Sequence, residues 1–85
     1  MSVHLELAQH AKNQNAMYNR FLELDQQREL YIEEAITLCK QGKIFSTEKI
    51  NAVTREINKI NLRFIPTRQL VTPEMVQEYV GRMAN

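Results

Sequence analysis

The chain has 85 residues and a mass of 10.0 kDa, with 11 basic against 10 acidic side chains. That length is one small domain with no room for two cores, and 44% hydrophobic with 25% charged residues excludes a disordered chain. A net charge of +1 argues against a dedicated nucleic-acid domain, which carries a large basic excess.

The single cysteine, Cys39, excludes an internal disulfide framework and a multi-cysteine zinc site. The opening Met1–His10 has neither the basic start nor the apolar run of a signal peptide, so the expected compartment is the cytoplasm. No unbroken apolar run exceeds three residues, far short of a membrane span.

Gly42, Pro66, Pro73 and Gly81 are the only glycines and prolines, and they divide the chain. Before Gly42, Val3, Leu7, Met17, Phe21, Leu24, Tyr31, Ala35 and Leu38 recur at helical spacing, with His10, Gln14 and Arg28 filling the gaps in the seam. Lys40 in the last turn and Gly42 as a left-handed stop complete a helix predicted over residues 3–41. A turn near Asn13–Asn15 is the alternative, but no Gly or Pro supports it. Next, Phe45 and Ile50 read as a hydrophobic staple across a Ser46 cap, and Ile50, Val53, Ile57, Ile60 and Phe64 form a narrow stripe. The predicted second helix covers 46–63, ending where Pro66 forces Ile65 out of the α region. The third, over 72–83, opens with Val71, a Thr72 cap, Pro73 at the first helical position and Val76 closing the staple. Met75, Val76, Tyr79, Val80 and Met83 form its apolar face, and Gly81 weakens its end.

The predicted fold class is therefore all-α, a single helical domain of one long and two shorter helices. A 39-residue helix is about 58 Å long, more than the roughly 43 Å that the shorter helices offer together. They cover it only in tandem, or cover half and leave half bare. A homodimer resolves the mismatch: two long helices, packed antiparallel, would share a seam of Met17, Tyr18, Phe21, Leu24 and Arg28. Arg28 lies in that seam, where its stem packs and its guanidinium is expected to reach a carboxylate, with Asp25 of a partner as the candidate.

No catalytic, cofactor-binding or metal-binding set emerges. His4 and His10 fall about 120° apart around a helix and are read as surface residues. Asp25, Glu29 and Glu33 form a like-charge ladder that Arg28 and the basic region can balance internally. Ser46 and Lys49 match a Ser-x-x-Lys string, but capping explains the serine and the companion motifs are missing. Cys39 is read as an inert core thiol. Residues 43–70 hold six basic and two acidic side chains. Arg55, Lys59, Arg63 and Arg68, interleaved with Asn58 and Asn61, are the candidates for weak nucleic-acid contact. A solvated face balancing the acidic helix is the simpler reading. The expected role is that of a non-enzymatic interaction or regulatory protein acting through helix faces, with a protein partner not specified by the sequence. Weak nucleic-acid binding is the alternative.

Met1-Ser2-Val3-His4, Phe21-Leu22-x-Leu24-Asp25-x-x-Arg28-Glu29 and Gly42-Lys43-x-Phe45-Ser46 together carry a resemblance. It continues through Ile50-Asn51-x-Val53-Thr54-x-Glu56-Ile57-Asn58-Lys59 and Val71-Thr72-x-Glu74-Met75-Val76-x-Glu78-Tyr79-Val80. Over nearly its whole length the chain resembles the YpbS-like family of small bacterial proteins. That resemblance implies a short cytoplasmic protein of endospore-forming bacteria and transfers no catalytic residue. Helical-hairpin phosphatases acting on aspartyl phosphate carry Ser-Gln-x-x-x-Asp, whereas Arg20 and Phe21 precede Asp25 here, which disfavours that activity.

Overall fold

A computed structural model describes residues 2–60 and 66–83, with side chains from Asn15 onward. With neither Gly nor Pro in its length, helix α1 runs unbroken over Ser2–Lys40, through Asn13–Asn15 without a turn. It stops at Gly42, whose φ of 70° is the left-handed conformation that a side chain disfavours. The Gly42 amide donates to the Cys39 carbonyl at 3.0 Å and the Lys43 amide to the Leu38 carbonyl at 2.9 Å. These two bonds are those of a Schellman stop and satisfy carbonyls that the helix end leaves without partners.

Helix α2 covers Glu48–Lys59 and α3 covers Pro73–Met83. The α2 boundaries correct the expected 46–63. Thr47 is the N-cap, its carbonyl accepting from Asn51, while Ser46 Oγ still accepts from the Glu48 amide at 3.1 Å. At the other end Ile60 is already extended, with ψ 119°, so the helix stops before the expected last turn. Arg63 and Phe64 lie outside the described residues. The start of α3 is as expected: the Met75 amide donates to Thr72 Oγ1 at 3.2 Å, and Pro73 opens the helix.

Both short helices pack on the C-terminal half of α1. Val53 and Ile57 bury Phe21 and Leu24, with Tyr31 and Ile60 against them. Ile50 and Val76 meet at Ala35, with Cys39, Phe45, Val71 and Val80 around them. Ile50 therefore lies beside the C-terminal part of α1 and Ile57 beside its middle, so α2 runs antiparallel to α1. Burying each of the larger side chains contributes about 1.5–3 kcal/mol.

The molecule measures 62 × 19 × 18 Å, with a radius of gyration of 17.6 Å. A compact chain of this length has about 12 Å. The described packing on α1 runs from Phe21 to Cys39, so Ser2–Arg20 projects beyond the body as an arm about 28 Å long. Of the two arrangements foreseen, the short helices adopt the one that covers half of α1.

Candidate interaction site

The segment Pro66–Thr72 returns along α2 to start α3. Two asparagines hold it. Asn51 Nδ2 donates to the Val71 carbonyl at 2.9 Å, and Asn51 Oδ1 accepts from the Val71 amide at 2.7 Å. Asn58 repeats this with Arg68, at 2.9 and 2.8 Å. Each carboxamide thus pairs with both backbone groups of one residue, as a neighbouring strand would. The spacing fits: seven helical residues from Asn51 to Asn58 rise about 10.5 Å, and three residues of extended chain cover about 10 Å.

Thr54 lies between the two asparagines and is fully buried. Its hydroxyl donates to the Ile50 carbonyl at 2.7 Å and accepts from Arg28 Nε at 2.8 Å. Arg28 Nη2 reaches the Gln69 carbonyl at 3.0 Å. The expectation for Arg28 is corrected here: its guanidinium takes a hydroxyl and a carbonyl inside its own chain rather than a carboxylate. Arg68 instead serves the carboxylate, with Nη2 3.5 Å from Asp25 Oδ1 and its guanidinium 5.5 Å from the centre of the Phe21 ring. No buried polar side-chain atom lacks a partner among the described residues.

This latch sets α3 against α1 and leaves an open groove between them. Ile32 and Ile36 form one wall, and Val71, Met75, Val76 and Tyr79 the other. Val76 is buried at its base, whereas Met75 and Tyr79 remain 39% and 51% exposed. Further down α1, beyond Asp25 and Glu29, Leu22 and Tyr18 are also open, 45% and 51% exposed. Tyr18, Leu22, Asp25, Glu29, Ile32 and Ile36 follow one another at spacings of 4, 3, 4, 3 and 4, a single helix face.

The expected dimer seam is therefore divided. Phe21 and Leu24 are buried by α2 of the same chain, at 8% and 6% exposure, and Arg28 is bonded within it. Met17 is half-buried, and Tyr18 is open. Among the described residues, the candidate nucleic-acid contacts do not gather into one free patch. Arg68 is held at Asp25, Asn58 is spent on the return segment, and Lys59 pairs with Glu56 at 3.1 Å. Arg55 is exposed. Arg63 and Asn61 fall outside the described residues. Lys49 Nζ sits 5.6 Å from the Tyr31 ring centre, a cation–π contact, while Ser46 is occupied at the helix start. Cys39 is half-buried against the upper core.

Sequence reasoning missed the asparagine latch. The available signal was Asn51, Thr54 and Asn58 at i, i+3 and i+7, one polar face beside the apolar stripe, with asparagine placed inside a helix that it disfavours.

The class these features define is a small all-α protein with a projecting helical arm and an apolar groove. Among the described residues no group of three His, Cys, Asp or Glu could hold a metal, and no helix is long and apolar enough to cross a membrane. The chain belongs to the family described as "Protein of unknown function (DUF2533)", which it matches over residues 1–82. It is 39% identical over 82 residues to the uncharacterized protein YpbS of Bacillus subtilis (strain 168), covering 95% of this chain and 96% of that protein. The family resemblance read from the motifs is thereby established. No solved structure matches the chain.

Proposed function

We propose that this is a non-enzymatic interaction or regulatory protein of the cytoplasm, working through helix faces as a homodimer. The observation that carries this reading is the projecting half of α1 together with the apolar groove of Ile32, Ile36, Met75 and Tyr79 and the exposed Tyr18 and Leu22. Most helical stability in proteins comes from packing of an apolar face, so a helical arm gains stability from a partner that covers it. An exposed apolar groove, beside a half of α1 that neither α2 nor α3 covers among the described residues, favours association. Light scattering at micromolar concentration tests it: twice the 10.0 kDa chain mass is expected, and a mass of one chain refutes the homodimer. The internal use of Arg68 and Asn58 weighs against nucleic acid as the partner. A gel-shift titration at about 50 mM salt, where phosphate contacts are strongest, should show no complex.

A further inference from the structure

We propose that the groove between α1 and α3 receives the N-terminal arm of a second copy, so that two chains close two four-helix bundles. This rests on the homodimer reading and specifies its geometry. The first support is length. The arm, Ser2–Arg20, is about 28 Å long, and the packed half of α1, Phe21–Lys40, is about 30 Å. An antiparallel partner therefore covers each half with the other.

The second support is register. A two-fold axis at residue 20 places residue 18 opposite 22 of the partner, 15 opposite 25, 11 opposite 29, 8 opposite 32 and 4 opposite 36. Every one of those positions continues the same face, because the 4-3 spacing of Tyr18 to Ile36 extends backward through Asn15, Ala11, Ala8 and His4. The positions of the face thus map onto themselves under the two-fold, as an isologous interface requires. Tyr18 meets Leu22 at the centre, and two alanine positions approach the Ile32 end, where a small residue lets a helix come close.

The third support is charge. Residues 1–20 hold two basic and one acidic side chain, whereas 21–40 hold two basic and five acidic. Glu29 and Glu33 are exposed beside the groove. Antiparallel pairing brings the weakly positive arm onto this acidic half, while parallel pairing stacks acidic on acidic.

Disulfide trapping tests the geometry. In a Cys39→Ser background, Ala11→Cys with Glu29→Cys should give a covalent dimer on oxidation. Positions 11 and 29 are about 27 Å apart within one helix, so only an intermolecular bond can form. Ala11→Cys alone should stay monomeric on a denaturing gel. If that single variant cross-links as readily as the double one, the arms pair with each other and the proposal is overturned. Tyr79→Asp, at an exposed position on α3, should abolish the dimer at micromolar concentration while circular dichroism shows the helices retained. Ile44→Asp, 96% exposed and away from the groove, should leave the dimer intact. A dimer that survives Tyr79→Asp overturns the docking yet keeps the homodimer. A wild-type mass of one chain overturns both.

Discussion

Replacing Asn51 by alanine removes a paired contact without disturbing the apolar core. The carboxamide exchanges two hydrogen bonds with Val71, and both are partly buried. A net contribution of about 1 kcal/mol per bond gives a loss of roughly 2 kcal/mol. Alanine returns about 0.6 kcal/mol as the better helix former. The expected destabilisation is therefore about 1.4 kcal/mol, or a melting temperature lowered by roughly 6–11 °C for a chain of this size. Asn51→Asp should do no better, because a carboxylate keeps the bond from the Val71 amide but faces the Val71 carbonyl with no donor. Thermal unfolding followed by circular dichroism, at one fixed protein concentration, measures both variants. An Asn51→Ala protein as stable as the wild type would refute the reasoning, since helix propensity would then outweigh the latch.

Thr54→Val leaves Arg28 Nε without its partner in the buried layer and should cost about 1–3 kcal/mol, read as a lower denaturant midpoint. Gly42→Ala has open space for its methyl group, so only the left-handed backbone resists it; an expected loss of about 1 kcal/mol would lower the melting temperature by a few degrees. Gly81→Ala also meets nothing nearby, but in ordinary helix, and should stabilise α3 by about 0.5–1 kcal/mol in the same melt.

Much of the helical map was legible because its signals are local. An absence of Gly and Pro lets α1 run, Gly42 stops it, and Thr72-Pro73 starts α3 through contacts within one turn. The ends of α2 were read less well. Ser46 offered a cap and Pro66 a stop, yet the helix starts at Glu48 and ends at Lys59. Its last turn carries Asn58, which bonds to Arg68 of the return segment ten residues on.

The seam shows the same division. Periodicity alone placed Met17, Phe21, Leu24, Arg28, Tyr31 and Ala35 on one face of α1, because 3.6 residues make a turn whatever lies beside it. It could not say what covers that face, since a helix of the same chain and one of a second chain demand the same apolar pattern. The tertiary structure decided for α2 at Phe21 and Leu24 and left Tyr18 of the expected seam open. It also decided the partners of the polar residues. Arg28 is met by Thr54 and Gln69, 26 and 41 positions away, and Asn51 by Val71, 20 away. Such pairings have no short-range signature: a donor and acceptor far apart in the chain meet only once the apolar faces have packed and fixed where each segment lies.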